Sequence, residues 1–130
     1  MSQRRIATVA LVVRDYDEAI GWYAQKLGFV LAEDADLGGG KRWVTLDPGN
    51  GGARLLLARA DGEGQASRIG DQTGGRVFLF LETDDFARDH AFMLAKGVSF
   101  EEQPRHEAYG TVAVFADLYG NLWDLIEPKH

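Results

Sequence analysis

The chain has 130 residues, 45% of them hydrophobic and 11% aromatic, which suits a single domain built on one buried core. A net charge of −6, with no basic run beyond Arg4-Arg5, argues against nucleic acid or an anionic membrane surface as partner. With no cysteine, disulfides, thiolate zinc sites and thiol catalysis are excluded.

The polar start, Met1 to Arg5, leads into an apolar run, Ile6 to Val13, too short to span a membrane and without a small-residue cleavage site. The expected location is therefore cytoplasmic. The β-branched run itself predicts a buried strand. Asp15 or Asp17 can cap a helix from about Tyr16, whose Ala19, Ile20, Tyr23 and Leu27 share one stripe, and Gly28 suits the position just past its end. Phe29 to Ala32 predicts the next strand, Gly38-Gly39-Gly40 a hairpin tip, and Lys41 to Leu46 a further strand. After the turn-rich stretch Asp47 to Gly52, Ala53 to Ala58 is strand-like.

Asp61 to Gly75 is rich in Gly, Asp, Gln and Ser and reads as a connecting loop. Beyond it come a strand at Val77 to Leu81 and a helix capped by Asp84 or Asp85 and ended by Gly97. A short strand at Val98 to Phe100 and another at Thr111 to Phe115 follow. The turn Asp117-Leu118-Tyr119-Gly120-Asn121 then precedes a last strand at Leu122 to Ile126. The order of elements repeats: Leu27-Gly28-Phe29 matches Lys96-Gly97-Val98 at a shift of 69, and Thr8 to Leu11 matches Arg76 to Leu79 at 68. Two βαβββ half-repeats, about 5–60 and 75–128, joined by a linker of about 61–74, give an α+β fold.

Val9 to Ala19, Trp22-Tyr23 and Lys26-Leu27-Gly28-Phe29 together resemble the opening half-repeat of the vicinal-oxygen-chelate superfamily. That superfamily includes glyoxalases, bleomycin-resistance proteins and extradiol dioxygenases. Phe115 to Pro128, an Asp-x-x-Gly-Asn turn running into the final strand, is similar to its closing motif. The resemblance spans the whole chain as one domain, 1–130. It implies a curled mixed sheet with a concave cavity, completed across a homodimer. Metal-dependent members carry ligands at positions that fall here on Thr8, Leu56 (Leu55 or Leu57 if the register slips), Arg76 and Asp124. Only Asp124 is a carboxylate, and Arg76 repels a cation, so no metal and no cofactor is expected.

Alternation places Arg76, Phe78 and Phe80 on one face, where a guanidinium above aromatic walls suits a planar or anionic small molecule. The other reading of Arg76 is an ion pair with Asp124. Trp43 and Thr45 alternate on their strand and are candidate ligand contacts, with a core or rim role for Trp43 as the alternative. Trp22 and Tyr23 should pack on the sheet, and Trp123 should face the helices or a partner subunit. In Pro104 to Gly110, a loop by its composition, His106, Glu107 and Tyr109 can each move a proton, Tyr109 also being a candidate ligand contact. As ordinary solvated loop residues they would do neither. His90 should face solvent, His130 is terminal, and no P-loop, dinucleotide-binding or Ser-His-Asp pattern is present. Two functions fit: a dimeric glyoxalase/bleomycin-resistance-like protein that binds a small organic molecule without metal, or an enzyme (lyase, isomerase or dioxygenase) acting on a small oxygenated substrate.

Overall fold

The computed structural model describes residues 3–129, so His130 lies outside the described residues. The chain divides into two compact units, Met1–Ile69 and Gly70–His130. The first unit runs β1 (Thr8–Val13), α1 (Tyr16–Leu27), β2 (Val30–Gly38), β3 (Lys41–Asp47), β4 (Arg54–Arg59) and the single-turn α2 (Glu63–Ala66). Its sheet order is β1-β4-β3-β2, with β1 and β4 parallel from Thr8↔Arg54 to Val13↔Arg59 and the other pairs antiparallel. A parallel pair requires a crossover, and α1 begins it. Asp15 is the cap: its side chain accepts from Glu18 N at 2.8 Å. Gly28 closes the helix at φ 73, a left-handed conformation that glycine adopts without strain. Tyr16, Ala19 and Tyr23 of α1 are buried, as are Leu11, Val13, Val44, Leu46, Leu55 and Leu57 of the sheet. Half-buried Trp22 lies edge-on to Tyr23, which stacks on Phe29.

The second unit repeats this order. It runs β5 (Val77–Glu82), α3 (Phe86–Ala95), β6 (Ser99–Phe100), β7 (Arg105–Glu107), β8 (Gly110–Ala116) and β9 (Leu122–Pro128). Its order is β5-β9-β8-β6, with β5 and β9 parallel and β7 added as a short hairpin partner of β8. Asp85, not Asp84, caps α3 through Arg88 N at 3.0 Å. The fold is thus α+β, two βαβββ units, as the repeat implied.

Several local expectations change. β1 starts at Thr8, and Ile6 is exposed rather than part of a buried strand. β2 is far longer than its apolar start, because its polar part is held by cross-strand pairing and by Arg42 bonding Asp34 at 2.7 and 3.1 Å. The linker contains α2, closed by Gln65 Oε1 accepting from Asp61 N. The stretch Pro104 to Gly110 is a β7–β8 hairpin with Ala108-Tyr109 as its turn, not an open loop. His90 is half-buried, stacked on Phe86 at 5.2 Å and edge-on to Phe100 at 4.5 Å, so it does not project into solvent. From there Phe115 and Trp123 continue an aromatic row under α3, which places Trp123 on the helix side as expected.

The turn before β9 is built on Asp117. Its carboxylate accepts from Tyr119 N (3.0 Å), Asn121 N (2.9 Å), Asn121 Nδ2 (3.0 Å) and Trp123 Nε1 (3.2 Å). The turn at the matching place in the first unit has exposed Gly49 N on Asp47 at 2.7 Å. Asp117→Ala, which removes an acceptor shared by four donors in a buried turn, should therefore destabilise by about 3 kcal/mol, and Asp47→Ala by about 1 kcal/mol or less. Urea unfolding of the two variants checks this; equal losses would overturn it.

Candidate functional site

In the first unit, register fixes which side chains share the face turned away from α1. Thr8, Ala10 and Val12 of β1, Arg54, Leu56 and Ala58 of β4, and Thr45 of β3 lie there, with Glu33 of β2 opposite Thr45. Leu56 therefore belongs to this face, while Leu55 and Leu57 are buried on the α1 side. Buried Thr45 donates its hydroxyl to Glu33 Oε1 at 3.0 Å, and Arg54 approaches the same oxygen at 3.5 Å. Trp43 shares the alternation of Thr45 and is 41% exposed, which makes it a rim aromatic.

In the second unit the corresponding face carries Phe80, Asp124 and Val114 in one row across β5, β9 and β8. The next row holds Glu82, Ile126, Val112 and Arg105. Phe80 is 65% exposed, whereas Asp124 is 8% exposed and its Oδ1 has no hydrogen-bond partner among the described residues. Burial pushes the Asp124 carboxyl above the usual aspartate value; Arg105 pulls it down and Glu102 adds to the rise. Arg105 donates to Glu102 Oε1 and to Glu107 Oε1, both at 3.0 Å. Glu102, Tyr109 and Glu107 together hold its guanidinium above the ordinary arginine value. The other oxygen of Glu102 accepts from Val114 N at 3.0 Å, which ties this carboxylate to β8.

Two expectations about this face are corrected. Arg76 precedes β5 rather than beginning it, and a register shift between Val77 and Leu79 breaks the alternation. Phe78 consequently meets Trp123, on the α3 side, at a ring separation of 6.4 Å, so Arg76, Phe78 and Phe80 do not form one row. Nor does Arg76 pair with Asp124; the guanidinium whose charge reaches Asp124 is that of Arg105. Glu107 shares the Asp124 face. His106 falls on the other side of β7, its Nδ1 3.3 Å from Thr111 Oγ1. Exposed Tyr109 stands at the hairpin turn.

Glu33, Glu102 and Arg105 were not among the sequence candidates. The repeat held the signal: a shift of 69 carries Glu33 onto Glu102, just as it carries Gly28 onto Gly97. Both glutamates flank the strand next to the sheet edge, one beside Thr45 and the other beside Val114.

A family model for the glyoxalase/bleomycin resistance protein/dioxygenase superfamily matches residues 5–125. The chain belongs to this superfamily. It is 54% identical over 127 residues to an uncharacterized protein of Shewanella frigidimarina, covering 96% of this chain and 94% of the relative. It is 29% identical to the uncharacterized protein YurT of Bacillus subtilis, covering 95% and 98%. Among solved structures, UcmS2 is similar at a TM-score of 0.82 and 28% identity, with 96% and 98% covered. TnmS3, an antibiotic binding protein from Streptomyces sp. CB03234, is similar at 0.78 and 26%, with 99% of each chain covered.

Of the positions to which the superfamily resemblance assigned metal ligands, Thr8 and Leu56 lie in the first unit and Arg76 and Asp124 in the second. Leu56 has no donor atom, Arg76 carries positive charge, and Asp124 already feels Arg105. No three His, Cys, Asp or Glu side chains gather into a possible metal centre among the described residues. This donor set does not fit a divalent metal. No described helix is long and apolar enough to cross a membrane.

Asp124 also sets a pH dependence. Its carboxyl holds a proton more firmly in the folded protein than in the unfolded chain. Stability should therefore fall as pH rises from the ordinary aspartate value through the raised folded value. Asp124→Asn should remove this component and be more stable than the parent by about 1 kcal/mol above that interval, with the difference lost below it. Urea unfolding at about pH 3 and about pH 7 measures both arms. A difference independent of pH would mean that Arg105 fully compensates the ionised carboxylate.

Proposed function

We propose that this protein binds a small, largely planar organic molecule without a metal ion, as a homodimer that encloses the ligand between protomers. The observation that carries the reading is Asp124, a buried carboxylate with an oxygen that has no partner among the described residues, across the strand pair from the exposed ring of Phe80. A buried acceptor without a donor is costly, and a ligand hydroxyl, amide or ammonium would relieve that cost while stacking on the ring. TnmS3, of matching length and fold, is an antibiotic binding protein, which supports the same use of the fold here. Arg76, exposed just before β5, is free to meet an anionic group of the ligand. On the corresponding face of the first unit, Thr8, Thr45, Leu56 and Trp43 are its candidate ligand contacts. The dimer reading draws support from β2, an edge strand whose nine residues are all exposed, among them Val30, Leu31 and Leu37.

A second reading, an enzyme acting on a small oxygenated substrate, is favoured by the raised Asp124 carboxyl, because a carboxyl that keeps its proton longer suits general acid–base work. Glu107 already accepts from Arg105, which leaves Asp124 better placed as the base than Glu107.

A thermal-shift screen of polycyclic aromatic antibiotics, without added metal, should yield binders recovered unchanged. For any such binder, Phe80→Ala and Arg76→Ala should each weaken affinity by about 1–3 kcal/mol. Binding that appears only with added zinc, nickel, iron or manganese would overturn the metal-free reading, and conversion of the compound would favour the enzyme. Light scattering at micromolar concentration should give the dimer mass; a monomer would defeat the enclosed-ligand arrangement.

A further inference from the structure

The first unit contains a cleft that shares Trp43 and Leu56 with the proposed contacts above but is lined by charged groups that reading leaves unused. β1 stays paired with β4 as far as Val13↔Arg59, and β2 with β3 as far as Gly38↔Lys41. Between them, the β3–β4 ladder stops at Val44↔Leu57, so Lys41 to Trp43 of β3 diverge from Ala58 and Arg59 of β4. The Tyr16 hydroxyl enters at the split and accepts from Arg42 N at 3.1 Å. A pocket of about 800 Å³ occupies the gap, within the usual range of small-molecule sites.

The charges lining this pocket are uneven. Arg42 is taken up by two carboxylates, Asp34 at 2.7 Å and Asp17 at 3.1 Å. Lys41 and Arg59 line the same pocket, and neither forms an ion pair with a carboxylate among the described residues. The Arg59 guanidinium stands 5.5 Å from the centre of the Tyr16 ring. It also lies against the hairpin tip, where a Cβ on Gly40 would come within 3.0 Å of its Nη2. The ring and the glycine thus hold Arg59 in place while leaving its charge uncompensated. One carboxylate, Asp61, also lines the pocket, so two free cations face one anion. The remaining wall is apolar, with Trp43 41% and Leu37 54% exposed.

We propose that the cleft between β3 and β4 is a binding site for a small planar aromatic monoanion, an aromatic carboxylate being the simplest member of the class. Its carboxylate meets Arg59 and Lys41, and its ring lies against Trp43 and Leu37. The forked guanidinium of Arg59, which has no carboxylate partner among the described residues, matches the carboxylate's two oxygens, and Lys41 adds a second cation at the rim. The site shares Trp43 with the reading above, but its charged anchors, Arg59 and Lys41, are separate from Asp124, Phe80 and Arg76, so variants at Arg59 and Asp61 test it apart from that reading.

Calorimetric titration of the full chain with naphthoate, and with naphthylmethanol as its uncharged counterpart, tests the site. Naphthoate should bind about tenfold more tightly than the alcohol, and less tightly as ionic strength rises. Arg59→Gln should weaken naphthoate binding about tenfold. Asp61→Asn, which removes the opposing charge, should strengthen it a few-fold, a gain that no site elsewhere would show. Lys41→Gln, at an exposed position, repeats the first test if Arg59→Gln fails to fold. Equal affinity for acid and alcohol, or an Asp61→Asn variant that binds naphthoate no better than the parent, would overturn the proposal.

Discussion

One helix can cover only one face of a four-stranded sheet, and this constraint organises both units. Parallel pairing of the first and last strands, β1 with β4 and β5 with β9, demands a crossover, and the helix that starts it packs on a single side. The side chains beneath each helix are apolar and tightly buried: Leu11, Val13, Leu55 and Leu57 in one unit, Phe115, Trp123 and Leu125 in the other. The opposite face inherits the alternate residues, and polar groups are concentrated there. Because the strand period is two, Trp123 and Asp124 are neighbours in sequence yet belong to different environments, an aromatic core and a charged face.

The helix side was the more legible part of the sequence, since its signals are local. Asp15 and Asp85 cap helices through their own following amides, and Gly28 takes a left-handed conformation that other residues avoid. The Asp117 turn is also local, its donors lying within six residues. What the sequence hid depends on partners far along the chain. Glu33 to Gly38 extend β2 because β3 pairs with them and Arg42 bonds Asp34, and strand propensity alone gives no hint of it. The extra residue at Phe78 is likewise invisible to alternation, although it decides that Phe78 joins Trp123 while Phe80 stays beside Asp124.

At the candidate site, faces were legible and partners were not. Alternation alone assigns Thr8, Leu56 and Asp124 to their strand faces. It could not show that the guanidinium near Asp124 comes from the β7 hairpin rather than from Arg76, since β7 forms only by pairing Arg105 to Glu107 with Gly110 to Val112. A segment so short has little strand signal of its own, and its charged side chains read as solvent-facing loop until the ladder is present.

The two units also show how duplication divides polar roles. The glutamate next to the edge is kept in both, Glu33 and Glu102, but it serves different ends. Glu33 bonds Thr45 and meets Arg54, so the polar cluster of the first unit is closed on itself around Leu56. Glu102 instead bonds Val114 N and holds Arg105, leaving Asp124, the counterpart of Leu56, with an unmet acceptor. The half-buried apolar side chain of Leu56 needs no partner, whereas a buried carboxylate depends on what surrounds it. Arg105 supplies charge without a direct bond, which opposes the effect of burial but leaves the Asp124 carboxyl above the usual aspartate value. The asymmetry between Leu56 and Asp124 therefore gives the second unit a buried acceptor without a partner among the described residues, and it arises from one position on the last strand of each repeat.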